Sequence, residues 1–396
     1  MQKHAKALVQ GSMARNASTD EIATLCEGLR SSAATSNASG GADPCPSCTR
    51  PRFVPRDVAA HQHEMPGCTS FNLWTSLRPK SPLALQIAAS QARCAEQVAV
   101  TGMNSFGMGS DFQTWTLKLC KAVEQGKVLV TQGYWIWTDK SRCDELRHRP
   151  PLHCYFDKLP RLPRRECASP PSHRANWSAR LFEYSCPSLV DDASSASRQA
   201  FQAAAAEYLM ASLSPWLVQL ASMDASTSVF GPAGPPADMI TCHIRWGDKD
   251  SEMELVDISS YVRAVSKLVR RHALTQPVSI YVTTEDPHAL EAFIAAAAGY
   301  PWRVLNYAPS VSKRRSRHGP ANDAMATRGR AGTQSMVALL LALNARYYVL
   351  STASTWSRLI NNIRLRVVDR VCNGCTDMVD LRPCDALNLS SSIACA

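Results

Sequence analysis

The stretch Ile240-Thr241-Cys242-His243-Ile244-Arg245-Trp246-Gly247-Asp248-Lys249 decides the fold. A short apolar run ends abruptly in His, Arg, Asp and Lys. That is the pattern of a buried strand delivering charged groups to the lip of a sheet. In open α/β sheets, ligands bind beyond the carboxyl ends of the strands. Four ionisable residues at 243–249 therefore point to an anionic ligand, because Arg and Lys complement phosphate.

Outward from this stretch, the same alternation repeats over 237–384. A strand is expected over 239–244 and a helix over 259–272, with Val262, Val265 and Val269 on one face. A strand over 278–283 ends in Thr284-Glu285-Asp286-Pro287. A helix carrying Leu290, Phe293, Ile294 and Ala297 follows, then a strand over 302–307 and a polar, basic loop reaching Arg330. Helix 333–344, strand 347–350, the loop Ser351-Thr352-Ala353-Ser354-Thr355 and helix 356–364 close the series. Strands alternating with helices imply a parallel sheet covered on both faces. The loops at 243–249, 284–286 and 351–355 should then converge on one edge.

Gly231-Pro232-Ala233-Gly234-Pro235-Pro236 is the clearest linker and separates an earlier α/β region at 81–230. There a helix is expected over 82–100, then the turn Asn104-Ser105-Phe106-Gly107-Met108-Gly109-Ser110-Asp111, a helix over 112–125 and a strand over 127–131. Trp135 and Trp137 alternate with Ile136 and read as the lining of an edge or pocket. Cys143 and Cys154 bracket a Pro-rich loop as candidate bridge partners, and an Ala-rich helix over 201–221 breaks near Pro215. Residues 1–80, rich in Ser, Ala, Pro and Gly, read as disordered or a stem with one short helix over 20–31. Residues 385–396 form a tail.

Composition narrows the class. The chain has 396 residues, 45% hydrophobic, which is enough for two or three domains. Its net charge of +10 fits nucleic acid, an anionic membrane or a phosphorylated substrate. The dense basic runs, 158–165 and 313–317, sit among Pro, Ser and Gly and read as solvated loops without the aromatic interleaving of a nucleic-acid site. Fifteen cysteines and sequons at Asn16, Asn37, Asn176 and Asn388 favour an oxidising, secretory lumen. Residues 1–18 have no apolar signal-peptide core, and no uncharged apolar run reaches the roughly 18 residues of a membrane helix. Either the protein is not secretory or a segment precedes Met1, and the second is the expectation. Cys45-Pro46-Ser47-Cys48 with His61, His63 and Cys68 imitates a zinc site, but the histidines are too close together, and disulfides or free thiols are the expectation. Cys372-Asn373-Gly374-Cys375 is read the same way.

Three blocks in order give a resemblance. His243-Ile244-Arg245-Trp246-Gly247-Asp248-Lys249, the acidic pair before Pro287, and the helix–strand–Ser/Thr loop ending in Ser354, Thr355 and Arg358 resemble the α1,6-fucosyltransferase group and the wider GDP-fucose-dependent transferases. Phe106-Gly107-Met108-Gly109 and strand 127–131 add a weaker match, so the resemblance covers about residues 85–375. It implies two Rossmann-like lobes facing each other across a cleft (GT-B-like). An acceptor lobe at 81–230 would face a nucleotide-sugar lobe at 237–384. It implies an inverting, metal-independent fucosyltransferase of the Golgi that takes GDP-fucose as donor and a glycan or glycoprotein as acceptor. No cofactor, metal or nucleic acid is implied. Trp246 stands where these enzymes usually carry a second Arg, and Ala338 where they carry a base-reading Asp. These two departures motivate the alternative, a nucleotide-sugar-binding relative without turnover.

Residue roles follow from that chemistry. Arg245 would bind diphosphate oxygens bidentately and Lys249 would add a point charge. The structural alternatives are an ion pair with Asp248 and an exposed loop lysine. Glu252 or Glu254 would act as general base towards the acceptor hydroxyl, against a solvated-loop reading. His243 is a donor contact or a satisfied core histidine. Gly107 and Gly109 allow close approach to the donor or form a plain turn. Ser354 and Thr355 offer hydroxyls and N–H groups to phosphate at a helix N-terminus, compatible with capping. Asp248 orients Arg245, and Tyr261 is an aromatic contact or core. Glu285 and Asp286 are acceptor-side groups, or Asp286 is the cap of the next helix.

Overall fold

A computed structural model describes residues 69–93, 98–143, 150–160, 195–247, 254–308 and 319–382. The expectations for residues before 69, the four sequons, the run 313–317 and the tail 385–396 lie outside these residues.

The earlier region contains α1 (Thr69–Ser76), α2 (Pro82–Ala92), β1 (Val98–Thr101), α3 (Met108–Glu124), β2 (Val128–Thr131), α4 (Lys140–Cys143), a 3-10 turn (Pro151–Cys154), α5 (Ser195–Met210) and α6 (Pro215–Asp224). The later region contains β3 (Ile240–His243), α7 (Ile258–Arg271), β4 (Val278–Thr283), α8 (Pro287–Ala297), β5 (Trp302–Asn306), α9 (Pro320–Ala326), α10 (Arg330–Ala342), β6 (Tyr347–Leu350), α11 (Thr355–Ile363), α12 (Asp369–Cys372) and β7 (Asp377–Asp380).

The fold is α/β with parallel sheets. β1 pairs with β2, Thr101 opposite Thr131. The other five strands form one all-parallel sheet in the order β5-β4-β3-β6-β7. The chain winds outward from β3 through β4 to β5, then returns to lay β6 on the other side of β3. The C-ends of β3 and β6 therefore flank a topological switch point, the place where open α/β sheets present a crevice.

Local chemistry sets the elements around it. All four β3 residues are buried, as a central strand covered on both faces requires. Helix α7 starts where the Asp257 carboxylate accepts Ser259 N–H at 2.9 Å, and it turns Tyr261, Val262, Val265 and Leu268 onto the sheet. Helix α8 starts where Asp286 accepts His288 N–H at 2.9 Å, with Pro287 as its first residue. One hydrophobic cluster covers this face with Val265, Ile280, Phe293 and Val349. A second runs continuously from Phe71 and Trp74 through Phe112, Trp135 and Tyr155 to Met336, Leu340 and Ile360, so the earlier region and the opposite face of the sheet share a core.

A glycine seam locks that shared core. Gly329 (φ +84°) precedes α10, and a Cβ there would run into the Thr138 carbonyl. A Cβ on Gly332 would meet the Trp137 carbonyl and the Tyr155 hydroxyl. Backbone thus lies directly on backbone. The polar atoms around the contact are satisfied: Tyr155 Oη donates to Trp137 O at 2.5 Å, and Thr333 Oγ1 donates to Asp139 Oδ2 at 2.8 Å. The Cys143–Cys154 disulfide, expected from the sequence, closes the loop beside it.

Five expectations are corrected. Residues 69–80, read as part of the stem, carry α1, and Phe71, Trp74 and Leu77 are buried in the shared core. The helix over 82–100 ends at Ala92, and 98–101 is β1, because Val98 and Val100 pair with β2. Trp135 and Trp137 are not a pocket lining but core, 0% and 2% exposed, with their indole N–H groups bonded to Asp111 and the Phe106 carbonyl. The basic loop before Arg330 contains helix α9. The sheet gains an unforeseen edge strand, β7. Cys372 and Cys375 are joined as a disulfide, one of the two outcomes expected for them.

Candidate functional site

At the lip of β3 the backbone turns sharply. Arg245 is buried, 8% exposed, and its Nη1 donates to the Trp246 carbonyl at 2.8 Å. The same guanidinium is ion-paired with Glu285, from the loop after β4. Gly247 takes φ +73°, and its N–H donates to Asp286 Oδ2 at 3.0 Å. Asp286 therefore holds the β3 loop with one oxygen and caps α8 with the other. Tyr261 is 1% exposed, its hydroxyl against the backbone of Arg245, so α7 supports the same turn from beneath. Trp246 packs on the α7 cluster and donates through Nε1 to Val256 O at 2.9 Å.

His243 spans the switch point. Its Nδ1 lies 2.7 Å from Ser357 Oγ of α11, and both residues are buried. Burial, reinforced by the Arg245 charge, pushes the imidazole down to about 3, so it is neutral near pH 7. Cys242 beside it is a free thiol with no exposure, its pKa raised by burial, which makes it unreactive in the fold.

The loop after β6 is organised by charge at both ends. Arg358 Nη1 donates to the carbonyls of Thr352 and Ala353 at 2.9 and 3.0 Å, and its Nη2 donates to Gln113 Oε1 of α3 at 3.1 Å. Thr352 donates through its N–H and Oγ1 to Asp380 of β7 at 3.0 and 2.5 Å. Ser354 is the buried N-cap of α11 without a side-chain capping bond, leaving the first-turn N–H groups to find other partners.

Two helix N-termini meet there. Gly109, in the first turn of α3, packs so closely on α11 that a Cβ would lie 3.0 Å from Trp356 N and 3.1 Å from Thr355 Oγ1. Ser110 Oγ and Thr355 Oγ1 lie 3.3 Å apart. Each helix start carries roughly half a positive charge, so the junction is electropositive and lined with hydroxyls. Asp111 is the acid of the first turn of α3. Its carboxyl accepts from Trp135 Nε1 at 2.7 Å and from Phe106 N–H, just ahead of the helix, at 3.3 Å. Burial raises Asp111 to about 6, against the lowering by those two bonds and by Lys118.

The structure thus brings His243, Arg245, Glu285 and Asp286 to one strand edge, and Gly109, Ser354 and Thr355 to the adjoining helix starts. Gly107 is the N-cap of α3 with open space around it. Glu254 is exposed ahead of α7. Asp248, Lys249 and Glu252 lie outside the described residues. Sequence reasoning missed Ser357, Asp380, Gln113 and Asp111 as parts of this site. Only Asp111 carried a local signal, an acid within the first turn of a helix; the others act over 114, 28 and 245 positions of chain. No protein-family model and no curated protein matches this chain.

Proposed function

We propose that this chain is an inverting, metal-independent glycosyltransferase that moves fucose from GDP-fucose to a glycan or glycoprotein acceptor. The observation that carries the reading is the meeting of the α3 and α11 N-termini beside the β3–β6 switch point. Two helix starts and a buried guanidinium on one sheet edge form a site for a diphosphate. The three-block resemblance to the α1,6-fucosyltransferases names the donor. The GT-B-like arrangement, with acceptor on 81–230 and donor on 237–384, belongs to the same proposal. So does a Golgi or secretory lumen, which the two disulfides favour.

In this mechanism the acceptor hydroxyl attacks the anomeric carbon from the face opposite the diphosphate. The new C–O bond forms as the bond to the diphosphate oxygen breaks, and that electron pair leaves on GDP. Glu252 or Glu254 takes the hydroxyl proton. The sugar passes through an oxocarbenium-like state while negative charge grows on the leaving group. Arg245, Lys249, the α11 N–H groups and the Ser354 and Thr355 hydroxyls stabilise that charge. In the resting chain Glu285 neutralises Arg245, which lets the guanidinium stay buried; the incoming diphosphate takes its place.

Isothermal titration tests the donor: GDP-fucose and GDP bind and UDP does not. A preference for UDP, or no binding of any of the three, overturns the reading. Transfer from labelled GDP-fucose to mixed glycan acceptors should vanish in Arg245→Ala, while Glu285→Gln binds GDP several-fold more tightly because the competing carboxylate is gone. A second reading, nucleotide-sugar binding without turnover, is supported by Trp246, whose indole is committed to Val256 where the resemblance calls for a second arginine. GDP binding with no product from any acceptor would favour it.

A further inference from the structure

We propose that a groove along α7 binds an acidic glycan chain, one bearing sulfate or uronate groups. The groove encloses about 660 Å³, within the range of small-molecule sites. Arg263, Lys267 and Arg270 of α7 line it, with Tyr300 and Trp302 at the start of β5 and Arg382 after β7. It adjoins the strand lip through two residues, Asp380, which also holds Thr352, and Val256, whose carbonyl accepts from the Trp246 indole; its cationic and aromatic residues are not part of that site.

Charge comes first. Positions 263, 267 and 270 fall on one helical face and span about 10 Å at 1.5 Å per residue. Like charges three and four apart repel; the carboxylate of Asp257, at the start of α7, acts on Arg263 at one end of the row. Arg382 is offset by Asp380 at 2.7 Å. Arg263 is steadied by the Ser259 and Ser260 hydroxyls, each at 2.8 Å. Lys267 and Arg270 have no ion-pair partner among the described residues. Lys267 and Arg270 thus leave the strip with a cationic surplus, and its complement is a chain with several separated anions.

The aromatic pair narrows the chemistry. Tyr300 and Trp302 stack with ring centroids 4.2 Å apart and planes 15° apart, and Tyr300 is 43% exposed. A flat, half-exposed aromatic face suits the apolar face of a sugar ring. Single-stranded nucleic acid is held by aromatics set along its path to stack successive bases, whereas this groove has one pair at one end. Cations in a row with a single aromatic platform fit an acidic oligosaccharide better.

The proposal does not rest on the transferase reading, since binding is measured with no donor sugar present. The full chain is titrated with a sulfated hexasaccharide, the same hexasaccharide without sulfate, and a single-stranded oligonucleotide of equal charge. The sulfated probe should bind at least tenfold more tightly than the other two. Lys267→Glu/Arg270→Glu should weaken it at least tenfold and flatten its salt dependence, with Lys267→Gln/Arg270→Gln as the milder variant if the first does not fold. Lys121→Glu/Arg366→Glu makes the same change in net charge elsewhere and should alter binding less than twofold. Tyr300→Ala should weaken binding without changing the salt slope. No binding of the sulfated probe, equal binding of the oligonucleotide, or equal losses in the two charge-reversal variants overturns the proposal.

Discussion

Two seams join the earlier region to the five-stranded sheet, and they are built differently. Where α10 begins, Gly329 and Gly332 lie backbone to backbone on Trp137 and Thr138, and the neighbouring polar groups already have partners. Where α11 begins, Gly109 also admits a close approach, but the groups that meet are helix starts and hydroxyls. The first seam is complete by itself, with nothing left to bind. The second gathers helix-start donors and hydroxyls, with Asp111 as the acid in the first turn of α3. A closed contact fixes the geometry, and the open one beside it is where that geometry becomes useful.

Breaking the closed seam should have the largest effect. Gly332→Ala forces a methyl against a carbonyl that cannot move alone, and a loss of about 3 kcal/mol or more is expected by thermal or chemical unfolding. Gly126→Ala is the control. That glycine also has a positive φ (+66°) but open space around it, so only conformational strain of about 1 kcal/mol is at stake. Equal losses in the two variants would show that the 137–138 contact is not tight.

The next largest effect is acid sensitivity at the switch point. His243 is neutral in the fold but takes a proton on unfolding below its ordinary value of 6.5. Below that pH the unfolded chain binds more protons, so stability is full above 6.5 and is lost as pH falls towards 3, by up to about 1.4 kcal/mol per pH unit. Asp111 works in the opposite sense. Between 3.8 and about 6 the native carboxyl keeps a proton that the unfolded chain has released, so this group favours the fold more as pH falls. His243→Gln should therefore remove the acid loss and uncover the Asp111 slope, and adding Asp111→Asn should flatten it. In the wild-type chain the two slopes largely cancel between pH 6 and 4, so Asp111→Asn alone isolates the first part: a variant whose stability does not fall between pH 6.5 and 4 contradicts it.

Removing the partner of His243 comes next: Ser357→Ala leaves a buried ring nitrogen unpaired and should cost about 1–3 kcal/mol at pH 7. Smallest in stability, and sharpest for the comparison, is Gly109→Ala. Its Cβ would sit 3.0–3.2 Å from α11, a fit that a small shift absorbs at about 1 kcal/mol. GDP binding should nevertheless fall tenfold or more, because the two helix starts are pushed apart. A Gly109→Ala chain that binds GDP normally would place the nucleotide elsewhere.

The central sheet was legible because each strand is a short apolar run ended by polar residues, and β3, β4, β6 and the helices between them lie close to where the pattern puts them. β1 was not, since a short run of Ala and Val reads equally well as the end of a helix until its partner strand is known. β7 escaped notice because Asp377 and Asp380 look like loop residues. Their charges are absorbed by Arg271, His272, Thr352 and Arg382, contacts that exist only in the fold. The site divides the same way. Arg245 and the loop at 351–355 announce themselves locally, and Asp286 before Pro287 reads correctly as a cap. The bridge from His243 to Ser357 and the anchoring of Arg358 by Gln113 join residues far apart in sequence, and no local pattern carries that information.

The sealed thiol of Cys242 has one more consequence. It sits on the middle strand of five, in the cluster with the α7 residues Tyr261, Val265 and Leu268, so its sulfur meets water only when that layer lifts from the sheet. Alkylation at this position, followed peptide by peptide in a mass spectrometer, would therefore time the parting of the helix layer from the sheet. The chain carries a built-in clock for its own undoing, and no label has to be engineered to read it.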